Sequence, residues 1–311
     1  MARAPIPPDA AGQRIDHVVA AALPGLSVSA ARRLLEAGAV RIDGRRPRKG
    51  AKLEAGAAGA TIEIDDGALA AAQGRGAARV PIAPDPSVAA TALHEDAALV
   101  AIAKPAGVPS HPLAPGQLGT AANAIVARWP ECADASPDPR EGGLVHRLDT
   151  GTSGVLIAAR TARAWTDLRA ALTDDACEKT YLAEVVGAPP DTGVETAPIG
   201  RVGRRGGRVR VGAGRQPMAA ETAWQVIERR EGTALVRVTL SAGRHHQVRA
   251  HLAAAGWPIV GDRRYGAGAG TEDEHEEAMH LHAASVRFRH PVSGDTILIE
   301  APPPDWAMIR A

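Results

Sequence analysis

The chain has 311 residues, 45% of them hydrophobic and 23% charged, with a formal net charge of +1. That length suggests about two domains, and the composition supports real cores while excluding a disordered polymer and a polycation. Two cysteines, Cys132 and Cys177, form no CxxC pair and imply no disulfide framework. The N-terminal stretch lacks the apolar run of a signal peptide, and no segment of about 18 apolar residues predicts a membrane span. A cytoplasmic protein is the expectation.

In chain order, residues 13–65 read as a small compact unit. Ile15, Val18, Val19 and Leu23 recur at helical spacing. Ser27 or Ser29 can cap a second helix, Ala30 to Glu36, that Gly38 stops. Val40 to Asp43 and Thr61 to Ile64 read as strands, with Asp43-Gly44 as a tight turn. Between Arg14 and Glu54, nine basic residues, Arg32 and Arg33 among them, face four acids. Residues 66–92 are Ala, Gly and Pro with little periodicity and read as a linker.

Residues 93–311 then mix strands and helices. Strands are predicted at Leu99–Ala103, Gly154–Ala159, Lys179–Val186, Glu221–Glu228, Ala234–Leu240, Leu281–Arg289 and Thr296–Glu300. Helices are predicted at Thr120–Arg128, Thr161–Leu172 and His246–Ala255. Several strands follow one another without a helix, so an α+β fold with a mixed or antiparallel sheet is expected.

Four constellations carry chemistry. The first is LVHRLDTGTSGVLIAAR at 144–160, where Asp149 lies in a Gly/Ser/Thr-rich turn beside His146 and Arg147. An active carboxylate needs a cationic or hydrogen-bonding partner to stay ionised when substrate excludes water. Asp149 capping the turn is the plain alternative. A second DTG begins at Asp191, 42 positions on (191 − 149). That spacing is too short for the two lobes of an aspartic protease, and Pro189-Pro190 precedes it, not an apolar strand.

The second constellation is Tyr181, one of two tyrosines in the chain. It shares a strand face with Ala183 and Val185, where a flipped base could stack on it or where it is simply a core residue. The third is GRHHQVRAHL at 243–252, in which Val248 and Leu252 face the core. Arg244, Gln247 and Arg249 have other faces available, and Arg249 is suited to a bidentate carboxylate pair. Adjacent His245 and His246 cannot face one metal from a regular helix, and no HExxH or Cys pair accompanies the histidines, so no metal is expected. The fourth is Arg201 to Arg215, with six arginines, including Arg204 and Arg205, no acid and five glycines. Unopposed like charges on a flexible hairpin suit phosphate contacts.

Taken together these residues resemble a known family. HRLDTGTSG at 146–154 is similar to the signature of the RluA-type pseudouridine synthases. Lys104-Pro105-Ala106-Gly107 with His111, Lys179 to Tyr181, Gly243 to Arg249 with His251, Val260-Gly261-Asp262 with Tyr265-Gly266, and Leu281-His282-Ala283 with His290-Pro291 match its other motifs in family order. Residues 13–65 resemble the small α-L RNA-binding module shared with a small-subunit ribosomal protein.

The resemblance implies a catalytic domain at 93–311 that isomerises uridines in structured RNA without cofactor or metal. It implies Asp149 as catalytic carboxylate, Tyr181 stacking on the uracil and assisting loss of the carbon-5 proton, and Arg249 paired with Asp149. Arg147 would fill the gap left by the flipped base. His146, Lys104, Arg244, Gln247, Arg32, Arg33, Arg204 and Arg205 are expected on RNA. Large-subunit ribosomal RNA is the expected substrate and a monomer the expected state. The alternatives are transfer RNA and a non-catalytic ribosome-associated RNA binder. Asp43 stands where the module often has Asn, His245 where the family often has Thr, and residues 268–278 are acidic where a basic residue is common.

Overall fold

A computed structural model describes residues 1–7, 10–23, 26, 28–47, 51–53, 59–69, 81–202, 207–241, 243–266 and 279–309. The chain divides into two compact units, Met1–Val80 and Pro81–Ala311.

In the first unit, helices α1 (Ile15–Ala22) and α2 (Val28–Glu36) pack with strands β1 (Ala2–Pro5), β2 (Val40–Ile42) and β3 (Thr61–Ile64). The sheet order is β1-β3-β2, all antiparallel. The helical periodicity buries Val18 and Val19 of α1 against Ala30, Ala31 and Leu34 of α2 and Ile62 and Ile64 of β3. The turn after β2 has Asp43 at φ 46° and Gly44 at φ 75°, the primed geometry that this dipeptide favours. The Asp43 carboxylate also accepts the Thr61 N–H at 2.8 Å. Strand β1 lies outside the segment 13–65 that the sequence marks as the module. It has no alternating pattern of its own and is recruited through its backbone by β3. Ser27 lies outside the described residues.

The second unit is built on a nine-stranded sheet. Its strands are β4 (Thr91–Glu95), β5 (Leu99–Lys104), β6 (Ser153–Ala159), β7 (Glu178–Val186), β8 (Thr192–Glu195), β12 (Thr222–Arg230), β13 (Thr233–Leu240), β14 (Leu281–Arg289) and β15 (Thr296–Glu300). The order is β4-β5-β6-β14-β7-β13-β12-β8, with β15 also on β14. One pairing, β14 with β6, is parallel and the rest are antiparallel, as expected of a mixed sheet. Helices α3 (Ala121–Arg128), α4 (Ala162–Ala171) and α5 (Gln247–Ala254) pack on it.

β5 and β6 are continuous apolar runs because both their faces are covered. Leu99, Ala101, Val155 and Ile157 meet Ala164 and Leu168 of α4, while Val100, Ile102, Leu156 and Ala158 meet Ala121, Ala122 and Ile125 of α3. Residues 81–92, expected as linker, belong to this unit in part. Ile82 N–H donates to Pro139 O, Asn123 donates to Ala83 O, and β4 begins at Thr91. Beside the sheet, β9 (Ile199–Val202), β10 (Arg208–Val211) and β11 (Arg215–Met218) form a small antiparallel sheet in the order β10-β9-β11. It seats Ile199 and Val209 on Ala250 of α5. Arg204 and Arg205 lie outside the described residues.

Candidate active site

The sheet brings the sequence-distant motifs together at one register position. Gly154 of β6 pairs with Ala283 of β14, and Ala283 pairs with Tyr181 of β7. The Asp149 turn immediately precedes β6, so the carboxylate and the tyrosine end up two strands apart at the same level. A Cβ on Gly154 would lie 2.1 Å from Ala283 O, so only glycine permits this close approach, at φ +114°.

The Asp149 turn is pinned from both sides. Thr152 N–H donates to Asp149 O at 3.0 Å, and Gly107 N–H donates to Thr150 O at 2.9 Å. Ser110 Oγ donates to Leu148 O at 2.7 Å and accepts from Leu148 N–H at 3.0 Å. Lys104, expected on RNA, is instead 1% exposed. Its ammonium donates to Pro105 O at 2.8 Å, Val108 O at 2.6 Å and Thr150 O at 3.2 Å. Burial presses its pKa down to about 7, against the pull of Asp149. The run of apolar residues before it forces Lys104 inward, where three carbonyls occupy all its protons.

His146 and Gln247 also spend their hydrogen bonds inside the fold. His146 Nε2 accepts the Ile157 N–H at 3.1 Å, and burial drives the ring's pKa down to about 3, so it is a neutral brace between the turn and β6. Gln247 is buried, and its amide is used internally: Nε2 donates to Glu221 O and Thr222 Oγ1, and Oε1 accepts the Arg244 N–H. Arg147, Arg244 and Gln247, together with Leu148, Asp149, Thr152, Tyr181, His246 and Arg249, line the cleft, which encloses about 390 Å³ of space open to solvent.

Arg249, 1% exposed, is the hub of the site. Its Nη1 donates to Asp149 Oδ2 at 2.9 Å. The bidentate pair expected of it goes to Asp262, through Nε to Oδ2 at 2.8 Å and Nη2 to Oδ1 at 2.9 Å. Asp262 Oδ1 also accepts the N–H groups of Arg264 and Tyr265, which fixes the turn after α5. Burial opposes ionisation of Asp149, but the His246 ring and the charge and hydrogen bond of Arg249 outweigh it, so the pKa is lowered. His246 itself is pressed by burial to a pKa of about 3, so Arg249 supplies the cation at neutral pH.

A chain of polar contacts ties this centre to the arginine-rich hairpin. Tyr265 OH accepts the Val209 N–H of β10 at 3.0 Å and meets His246 Nδ1 at 3.0 Å, while His246 Nε2 lies 3.6 Å from Asp149 Oδ1. Asp262, Tyr265 and His246 match motifs in the sequence that assign them no role. Their part in the site shows only when the turn after α5 folds back on the hairpin. Tyr181 is raised above the ordinary phenol range by burial and by Asp149, so it is a neutral phenol at physiological pH.

His245 and His246 precede α5 instead of lying on it. His246 takes φ 53° and the two rings stack with centroids 3.7 Å apart. With Asp149 they offer donor atoms within 4.8 Å of one another, a grouping that the left-handed turn at His246 permits and a regular helix does not. The field there disfavours a cation, because Arg147, Arg201 and Arg264 all act to lower the pKa of His245.

In the first unit Arg32 is held by ion pairing. Its Nη2 lies 2.9 Å and that of Arg14 2.8 Å from Asp16 Oδ2, and this buried carboxylate is held far below its usual pKa. Arg33 is exposed on the same helix.

Fold and cleft together are those of an RNA-modifying enzyme. More narrowly, the chain belongs to the RNA pseudouridylate synthase family, matched over residues 98–254, and it carries an S4 domain, matched over residues 13–57. A Chloroflexus aurantiacus protein named "Uncharacterized RNA pseudouridine synthase" is 38% identical over 304 residues, 96% of this chain and 89% of the relative. The "Ribosomal large subunit pseudouridine synthase D" of Xanthomonas campestris pv. campestris is 34% identical over 314 residues, 97% of this chain and 89% of that one. Among solved structures, "Human RNA Pseudouridylate Synthase Domain Containing 4" is similar with a TM-score of 0.53 and 26% identity, covering 70% of this chain and 89% of the human one. Among the described residues, no helix is long and apolar enough to cross a membrane.

Proposed function

We propose that this chain isomerises uridines in large-subunit (23S) ribosomal RNA, as a cytoplasmic monomer, with Asp149 as the catalytic carboxylate. The observation that carries the reading is Asp149, ionised by Arg249, in the same cleft as Tyr181. The choice of ribosomal RNA draws on the whole-chain likeness to relatives named for that substrate.

The reaction breaks the nitrogen–carbon glycosidic bond, turns the uracil and rejoins it through carbon-5. One proton leaves carbon-5 and one arrives at nitrogen-1, so nothing is oxidised or hydrolysed. Extracting the base from its stack costs a few kcal/mol, and Arg147 at the cleft rim is placed to occupy the vacated position. Tyr181 lies under the extruded base as a neutral phenol. Asp149 acts either on the sugar or base as a nucleophile or by promoting loss of a ribose proton. Arg249 keeps it charged and aimed without reorganisation during the reaction.

Pseudouridine mapping of total RNA, with and without the gene, tests this. The expected result is one or more sites lost from 23S RNA, restored by the wild-type gene and not by Asp149→Ala. Loss of a transfer RNA site instead would move the substrate, and no change in any RNA would favour a non-catalytic binder.

A further inference from the structure

We propose that the turn before α5 is a phosphate subsite: a backbone phosphate of the substrate strand seats against His245 among Arg147, Arg201 and Arg264, and the imidazole takes one proton from the buffer as it does so. The inference rests on the reading of the chain as an RNA-modifying enzyme and adds a residue and a proton to it.

Three observations support it. His245 sits at the rim of the site, with its Nδ1 3.4 Å from Arg147 Nη2 and its ring stacked on His246 at 3.7 Å. The groups whose charge bears on the ring come from separate elements: Arg147 and Asp149 before β6, Arg201 of β9, and Arg264 after α5. Three are cations, and the one carboxylate is already bonded to Arg249. On the hairpin, Arg201 lies directly opposite Arg215 of β11, and both are exposed. Like charges facing across adjacent strands destabilise a sheet, and an anion between them relieves that repulsion. A dication would add to it.

Burial and the three guanidiniums keep His245 neutral in the free protein. A phosphodiester brings a full negative charge and two acceptor oxygens, which favour the imidazolium. The proton comes from solvent and goes to a ring nitrogen, and no covalent bond in RNA or protein changes. Protonation at Nδ1 removes the acceptor that Arg147 meets and frees that guanidinium to turn to the phosphate.

The test is calorimetric titration of the full chain with an oligouridylate of about ten nucleotides, near pH 7 in buffers of differing ionisation enthalpy. Wild type is expected to take up a measurable fraction of a proton, and its affinity to weaken about threefold or more per pH unit between roughly pH 6 and 8. His245→Gln and His245→Thr are expected to bind with less proton uptake and a flatter pH profile. Uptake and slope unchanged in both variants, no uptake in wild type, or no binding at low salt would each overturn the subsite. A parallel assay of tritium release from RNA labelled at uracil carbon-5 keeps the two ideas separable. Turnover without proton linkage sinks the subsite alone, and linkage without turnover sinks the enzyme reading alone.

Discussion

Asp149 and Asp262 share one guanidinium: Arg249 gives Nη1 to the first and Nε with Nη2 to the second. The second carboxylate is buried and fixes the plane in which Nη1 points. Asp262→Asn keeps an oxygen for the turn N–H groups but loses the charge-assisted fork. It is expected to lower kcat by about 10–100-fold with KM little changed, as a misaimed catalytic group does. Breaking a buried pair costs roughly 3–5 kcal/mol, so a lower urea midpoint should accompany it. A kcat equal to wild type would show that Asp149 is positioned without Asp262.

Asp149→Asn should behave differently. Arg249 keeps Asp262, so no buried cation is stranded, and the turn is still held by Lys104, Ser110 and Gly107. Turnover is expected to vanish while RNA affinity stays within about threefold and the melting temperature within a few degrees. Residual activity above about a hundredth of wild type would remove Asp149 from the catalytic role.

The elements of the second unit were legible where periodicity and apolar runs agree with burial, as in β5, β6 and β14. Asp149, Tyr181 and Arg249 were legible as chemistry-bearing residues in motifs. Three features were not. Lys104 and His146 carry the residue types of RNA contacts, but burial turns both to backbone partners, which no local pattern records. Arg249's fork on Asp262 depends on a turn thirteen residues further on folding back. Strands β9 to β11 are four residues each, and the alternation of Arg208 to Val211 is too brief to stand out from the Gly- and Arg-rich run around it. Their place follows from Val209 and Ile199 packing on α5.

Two largely enclosed histidines contribute to the loss of stability in acid. His146 and His246 are each pressed by burial to a pKa of about 3, against an ordinary value of 6.5. Between those values the unfolded chain binds protons that the folded chain refuses, so stability rises with pH across that window and is lost on acidification through it. Each ring contributes up to about 1.4 kcal/mol per pH unit. Urea midpoints measured from about pH 4 to 7 should fall steadily toward acid. His146→Gln should start lower, having lost its geometry with Ile157, but fall less steeply. Parallel slopes for wild type and variant would show that His146 is not buried in neutral form.

Neighbouring arginines on α2 should separate binding from stability. Arg32 shares Asp16 with Arg14, and Asp16 is almost fully covered, with its pKa strongly lowered by those bonds. The lowered pKa gives stability that is present above the ordinary carboxylate range and lost as pH falls below it. Arg32→Ala at neutral pH leaves Asp16 with Arg14 alone and should unfold the first unit at lower temperature. Arg33, one position on and exposed, should leave that transition unmoved when changed to Ala. If it touches phosphate, Arg33→Ala should weaken RNA binding similarly for all sequences and lower the slope of log affinity against log salt by about one. An unchanged salt slope would place the RNA on another face of the module, and an unchanged transition in Arg32→Ala would mean that the Asp16 pair contributes nothing to its stability.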